Sequence, residues 1–190
     1  HEDYEGFGPL LAKEQLEERY GLKYSAEWVR KLMIEKNLWK ARERKATRYY
    51  QRRNRRSQEG ELIQLDGSYH DWFEGRGPKC CLISMVDDAT GKLKMVRFVE
   101  HENTLDYLDM TRCYIENYGI PLAVYSDRHK IFKGDKNDSQ FCRALKEVGI
   151  RPIFANSPQA KGRVERSHGT LQDRLVKLMR LKRVSSICLL

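Results

Sequence analysis

The sequence predicts an α/β fold, a mixed five-stranded sheet with flanking helices, preceded by a small helical module. Three short runs rich in β-branched and apolar residues come first in the main region, separated by turn signals at 75–78 and 88–91. Helices and strands then alternate, and a long helix with an apolar stripe follows. Consecutive strands that give way to alternating helices and strands are typical of α/β cores with a mixed sheet.

Each element has its own local signal. The predicted elements are antiparallel strands at 62–68, 80–86 and 93–99, a helix at 104–118, a strand at 122–126, a helix at about 139–148, a short strand at 151–154 and a helix from about 162 to 182. Thr104 is the predicted cap of the first helix, with Leu105, Leu108, Cys113 and Ile115 on its apolar face. In the last helix, Val164 is predicted to share a buried stripe with Leu171, Leu175 and Leu178. This order of elements is that of an RNase H-like core.

Residues 1–40 predict a helix-turn-helix module. Apolar residues recur with helical spacing between residues 9 and 20, and Gly21 follows where a helix would end. Ser25 is a plausible cap for a second helix, with an apolar stripe that includes Trp28 and Val29. Any small helical hairpin has the same pattern, so both interpretations stay open at this point.

A strongly basic segment follows. Residues 40–56 contain nine basic residues and one acidic residue, so they carry most of the formal net charge of +9. Polyanions are the natural partners of such a segment. It is either a solvated linker or an arm that follows DNA phosphates, and the interleaved Tyr49 and Tyr50 favour contact with DNA. We predict a linker at 41–60 that binds DNA through Arg52, Arg53, Arg55 and Arg56.

The cysteines and the hydropathy narrow the class of protein. Five cysteines without CxxC spacing are typical of core residues in a reducing cytosol, and neighbouring Cys80 and Cys81 point to opposite faces of a strand, which argues against zinc. No apolar run approaches the roughly 20 residues that cross a bilayer. We therefore expect a soluble, cytoplasmic protein without a membrane partner.

Three acidic residues form the candidate catalytic set. Asp66 lies within the first strand, Asp127 ends the fourth, and Glu165 begins the last helix. Ligands of open α/β sheets gather at the carboxyl ends of strands, so we expect these residues to meet there. Carboxylate oxygens are the ligands that Mg²⁺ prefers, and two such ions cleave phosphodiesters.

Other acids and two histidines compete with this set. Asp87 and Asp88 precede a turn and are interpreted as turn acids. Asp71, Asp135 and Asp138 lie in loops and rank lower. His129 and His168 are expected to contact phosphate or to orient a metal ligand, because a hard cation rarely selects histidine.

Four segments resemble a known family. Leu65-Asp66-Gly67, the segment 85–91 (MVDDATG), the segment 125–129 (YSDRH) and the segment 156–166 (NSPQAKGRVER) are similar to the integrase catalytic core of DDE insertion-sequence transposases, which are related to retroviral integrases. The resemblance covers about residues 61–183, within a core domain placed at 61–184. It implies that Asp66, Asp127 and Glu165 bind two Mg²⁺ ions, that Mn²⁺ can substitute, and that Gln159, Lys161, Arg163 and Arg166 contact the transposon end.

The implied function is Mg²⁺-dependent cleavage and strand transfer of double-stranded DNA, at transposon ends and target, by a homo-oligomer in the bacterial cytosol or nucleoid. Compared with the family, the chain looks truncated at both ends, and residues 185–190 are expected to form an unstructured tail. One alternative is therefore an inactive remnant that only binds DNA. A ribonuclease acting on RNA·DNA hybrids is a third, because the fold is shared.

Overall fold

The computed structural model describes residues 2–41, 54–127, 138–154 and 162–187. Its five strands are β1 (Ile63–His70), β2 (Cys80–Asp87), β3 (Leu93–Val99), β4 (Ala123–Ser126) and β5 (Arg151–Phe154). They form one sheet in the order β3-β2-β1-β4-β5. β1, β2 and β3 pair antiparallel, whereas β4 pairs parallel with both β1 and β5. The mixed five-stranded sheet predicted from the sequence is confirmed.

The helices cover both faces of the sheet. They are α1 (Pro9–Tyr20), α2 (Ala26–Glu35), α3 (Thr104–Tyr118), α4 (Gln140–Glu147) and α5 (Gly162–Leu181). Cys81 and Ile83 of β2 pack with the side chains of α3 and α4, whereas Cys80 and Leu82 pack with those of α5. The alternation of side chains along a strand separates these two cores. The two neighbouring cysteines therefore lie on opposite faces, as predicted.

Helix α3 begins at Thr104 as predicted, but its N-cap is one residue earlier than the sequence indicated. Asn103, not Thr104, is the N-cap, and its side chain accepts a hydrogen bond of 2.9 Å from the backbone N–H of Asp106. The predicted apolar face is confirmed for Leu108 and Ile115, which pack against the core, but it is wrong for Leu105, which is 71% exposed. The buried side chains are Tyr107, Met110, Thr111 and Tyr114, which have true helical spacing.

The N-terminal helices form a hairpin that contacts α5. Gly21 ends α1 in the left-handed conformation, and the Ser25 side chain caps α2 by accepting a hydrogen bond from Trp28, as predicted. Glu14 of α1 forms an ion pair with Arg174 of α5. In α2, Val29 and Met33 are buried, but Trp28 is exposed and stacks on Tyr24. DNA binding by this hairpin remains a prediction.

The end of the described chain is packed rather than loose. Residues 185–187 have no helix or strand, yet Ile187 packs against the core beneath α5, and the Arg76 guanidinium donates a hydrogen bond to the carbonyl of Val184. Ile187 is therefore packed, whereas Ser185 and Ser186 are exposed, and the tail assigned to residues 185–190 stays a prediction. None of the helices in the described ranges has both the length and the apolar composition needed to cross a membrane.

Candidate active site

The pairing of β1 with β4 brings two of the predicted acids side by side. Ile63 is opposite Val124, and Gln64 is opposite Tyr125. Continuing this parallel register by two residues places Asp66 opposite Asp127, which directly follows β4. Residues in register on parallel neighbours lie about 4.8 Å apart and share a face of the sheet. The backbone therefore sets these two aspartates next to each other.

Helix α5 lies along the same face of β1 and is held there by polar contacts at regular intervals. The backbone N–H of Val164 donates to Oε1 of Gln64 at 3.1 Å, His168 Nδ1 lies 3.8 Å from Oδ2 of Asp66, and Gln172 Nε2 donates to Oγ of Ser68 at 3.0 Å. Four helical residues rise about 6 Å and two strand residues about 6.6 Å, so the two repeats nearly match. This match fixes the height of α5 above Asp66.

Glu165 lies in the first turn of α5. With 3.6 residues per turn, it is about 60° around the helix from His168, on the flank of the face that contacts β1. Its side chain is exposed, whereas those of Asp66 and Asp127 are half-buried. Among the residues described, no three His, Cys, Asp or Glu side chains are gathered closely enough to hold a metal ion. The fold thus places the three acids in one region without clustering their carboxylates.

His168 links Asp66 to the neighbouring strand. Its Nε2 is 2.7 Å from Oγ of Ser84, and Ser84 is the β2 residue opposite Asp66. Both His168 and Ser84 are buried. This agrees with a histidine that orients a carboxylate, the role expected for His168, whereas His129 lies outside the described residues.

A fourth carboxylate, that of Glu102, lies on the other side of β1. A Cβ atom on Gly67 would overlap the Glu102 carboxylate and would lie 2.9 Å from the Cys81 sulfur, so a larger residue directly after Asp66 would require the Glu102 side chain to move. The Tyr107 hydroxyl donates a hydrogen bond to Glu102. Burial and this hydrogen bond raise the pKa of Tyr107, so it stays a proton donor. Burial likewise raises the pKa of Cys81 to about 12, so its thiol does not compete for a metal ion.

Asp87 and Asp88 are both fully buried and have different partners. Asp87 accepts hydrogen bonds from the backbone N–H of Gly60 at 2.9 Å and from the N–H and hydroxyl of Thr90 at 2.7 Å each. It therefore organises the turn between β2 and β3, as a turn acid does. Asp88 instead accepts hydrogen bonds from Gln64 and Arg163 and from the backbone N–H of Arg56.

The predicted DNA-binding residues fall into three groups. Arg52, Arg53, Gln159 and Lys161 lie outside the described residues. Arg55 and Arg166 are exposed, although Arg55 Nη1 donates a 3.4 Å hydrogen bond to the carbonyl of Ala89, and Arg166 directly follows Glu165. The other two are engaged within the protein, Arg56 with Glu61 at 3.2 Å and Arg163 with Asp88 at 2.6 Å. Of these, Arg163 is least suited to meet a phosphate, because its side chain is only 16% exposed.

Sequence reasoning did not anticipate Gln64, Ser84 or Glu102. Each is an ordinary polar residue whose importance depends on which element packs against it. One signal was present for Glu102, because a glycine inside a strand often marks the close approach of another group. The burial of Gln64 could also have been predicted, because it lies between the apolar Ile63 and Leu65 in a strand that is covered on both faces.

Two curated proteins are similar to this chain in sequence. The Putative transposase y4bF of Sinorhizobium fredii is 47% identical over 188 residues, which is 95% of this chain and 41% of that protein. The Transposase for insertion sequence IS1202 of Streptococcus pneumoniae is 31% identical over 216 residues, 90% of this chain and 46% of that protein. The chain thus spans less than half the length of these relatives. No model of a known protein family matches it.

Solved structures share the fold. The magnesium complex of the HTLV-2 integrase catalytic core domain superposes in its dimeric form with a TM-score of 0.52 at 21% identity, covering 64% of this chain and 73% of that one. The intasome of simian T-cell lymphotropic virus with a PP2A regulatory subunit gives 0.58 at 18% identity, over 70% of this chain and 46% of that one. The protein therefore has the fold of a retroviral integrase catalytic core, and its sequence is similar to those of two curated transposases.

Proposed function

We propose that this chain carries the catalytic core of a DDE transposase, which cleaves and joins DNA strands with a divalent metal, and that Asp66, Asp127 and Glu165 are the metal ligands. The observation that carries the proposal is the β1–β4 register, which sets Asp66 beside Asp127 on the face where α5 begins. The sequence relatives are named transposases, and an integrase core of the same fold was solved with magnesium.

The donor set suits a hard divalent cation. All three residues offer carboxylate oxygens, the ligands that Mg²⁺ and Mn²⁺ take in proteins, and no thiolate competes nearby. When bound, two such ions activate the attacking oxygen and stabilise the leaving one. Glu165 is exposed and begins a helix, so its side chain has room to turn toward the aspartates.

The residues around the acids have supporting roles. His168, held by Ser84, orients the Asp66 carboxylate. Arg166 is exposed beside Glu165 and suits a DNA phosphate, while the basic segment at 40–56 supplies further phosphate contacts. The proposed partners are transposon ends and target DNA, bound by a homo-oligomer.

Plasmid nicking tests the proposal. Wild-type protein should convert supercoiled DNA to the nicked form with Mg²⁺ or Mn²⁺, and Asp127→Asn should abolish this, because the amide is a poor ligand for a hard cation. Asp173→Asn, which changes an exposed acid on the outer side of α5, is the matched control and should retain activity.

Three outcomes would contradict the proposal. Equal nicking by wild type and Asp127→Asn would show that the acids do not act in the reaction. Salt-sensitive DNA binding without nicking in either metal would instead leave the alternative of a remnant that only binds DNA. Cleavage of RNA·DNA hybrids without nicking of duplex DNA would point to the ribonuclease alternative.

A further inference from the structure

The side chain of Asp88 lies at the meeting point of three separate parts of the chain. Its Oδ1 accepts hydrogen bonds from Gln64 Nε2 of β1 at 2.7 Å and from Arg163 Nη1 of α5 at 2.6 Å. Its Oδ2 accepts from the backbone N–H of Arg56, at the end of the basic segment, at 3.0 Å. Asp88 is fully buried, so these bonds replace the water that a carboxylate would otherwise hold.

Gln64 extends this network to the backbone of α5. While its amide nitrogen donates to Asp88, its Oε1 accepts from the N–H of Val164. The first N–H groups of a helix have no partner within the helix, so Gln64 acts as a cap supplied by a neighbouring strand. A buried glutamine with both ends of its amide engaged has one orientation, and it fixes the start of α5 relative to β1.

The residues of the network lie close in sequence to two of the proposed metal ligands. Gln64 is two residues before Asp66 on the same face of β1, and Arg163 is two residues before Glu165. The network therefore joins β1 to α5, the two elements that carry Asp66 and Glu165, within two residues of each acid. Arg163, which sequence reasoning assigned to DNA, is part of this internal connection.

We propose that Gln64, Asp88 and Arg163 are positioning residues that set the distance between Asp66 and Glu165 for metal binding, and that Asp88 couples this distance to the basic segment through Arg56. The inference rests on the proposed function, because it assigns these acids to a metal site. It goes beyond that function by adding residues that touch neither metal nor DNA.

Metal affinity and amide exchange test the inference in the full chain. Gln64→Met removes both polar contacts with little change in volume. We expect faster hydrogen exchange at the Val164 amide and a 10- to 100-fold weaker Mn²⁺ affinity by calorimetry, the usual effect of removing a group that orients metal ligands. Gln172→Met is the matched control, because it removes an equivalent bond between α5 and β1 two helical turns beyond Glu165. It should leave the Mn²⁺ affinity unchanged.

A reciprocal exchange gives a second, independent test. Asp88→Asn alone loses the charge that pairs with Arg163, and Gln64→Glu alone sets two carboxylates against each other. The double variant restores a donor–acceptor pair between positions 64 and 88, because the amide nitrogen introduced at position 88 can donate to the carboxylate introduced at position 64, but that nitrogen no longer accepts from Arg163. We therefore expect it to recover part of the Mn²⁺ affinity that each single variant loses. If a single variant does not fold, the double variant and Gln64→Met still decide the question.

The outcomes separate the two proposals. If the wild-type protein binds Mn²⁺ and nicks DNA, and Gln64→Met binds Mn²⁺ with the same affinity, the positioning role is overturned while the proposed function stays intact. Equal losses of Mn²⁺ affinity in Gln64→Met and Gln172→Met would also overturn it, because any loosening of α5 would then suffice. A wild-type protein that neither binds Mn²⁺ nor nicks DNA would reject the proposed function, and the positioning role with it.

Discussion

Among single residues, three carboxylates near the sheet show most clearly how one side-chain type serves different purposes. Asp87 organises a turn, Asp88 joins two elements and a backbone segment, and Glu102 fills the space left by Gly67. All three are carboxylates within hydrogen-bonding reach of specific donors. Their roles follow from the donors around them and not from their position in a motif.

Asp87 gives a prediction about acid stability. Burial raises the pKa of Asp87, but the hydrogen bonds from Gly60 and Thr90 outweigh it, so the pKa lies below its ordinary value of 3.8. A lowered pKa in the folded state stabilises the protein above that value, and the contribution disappears as the pH falls through the folded-state pKa. Asp87→Asn should therefore cost about 1.5–3 kcal/mol at pH 7, the range for hydrogen bonds to a charged group.

Urea unfolding at neutral and acid pH checks this expectation. The difference in unfolding free energy between wild type and Asp87→Asn should shrink when the pH is lowered below the folded-state pKa. Asp173→Asn, which removes an exposed pair with Lys177, should differ little from wild type at either pH. A difference for Asp87→Asn that stays constant with pH would contradict the charge-based explanation.

Among the secondary-structure elements, helix α3 has two neighbouring residues, Asn103 and Thr104, that could each serve as its N-cap. The structure assigns the cap to Asn103, whose side chain accepts a hydrogen bond from Asp106, although Thr104 also has a suitable side chain. Asn103→Ala should lower the unfolding free energy by about 1 kcal/mol. Thr104→Ala, the matched control within the first turn, should have a smaller effect, and equal losses in both variants would contradict the assignment. Denaturant midpoints measure both.

The sequence predicted the boundaries of helices and strands better than it predicted which face of each helix is buried. Strand alternation, Gly21 and Ser25 were sufficient to place most boundaries, because these signals are local. At α3 the sequence placed Leu105 on the buried face together with Leu108 and Ile115, and only packing against the sheet shows that Leu105 lies outside it. The stripe of α5 was also incomplete, since it includes the buried polar His168 alongside Val176 and Met179.

For the protein as a whole, the candidate acids could be found from the order of elements and the family resemblance. The network that surrounds them could not, because it joins residues about 25 to 100 positions apart through side chains without a sequence pattern. Tertiary packing creates such contacts. The bonds of Gln64 become visible only once the register of β1 and the path of α5 are known.

The uneven charge predicts a salt dependence of DNA binding. If Arg52 and Arg53 each neutralise one phosphate, replacing both with Gln should reduce the slope of log K against log salt by about 1.8, since each contact contributes roughly 0.9. Replacing Arg112 of α3 and Lys146 of α4, whose exposed side chains pair with acids, removes the same charge and should leave the slope unchanged. Fluorescence anisotropy with duplex DNA measures the slopes, and equal changes would show that only net charge matters.

Helix α5 follows all five strands in the chain, and this order has a consequence during synthesis. All five strands leave the ribosome before it does, and domains fold as the chain emerges from its N-terminus. A nascent chain can therefore assemble its sheet while the face of β1 that bears Asp66 is still exposed to solvent. That face is covered only once α5 has emerged and its residues can contact Gln64, Asp66 and Ser68.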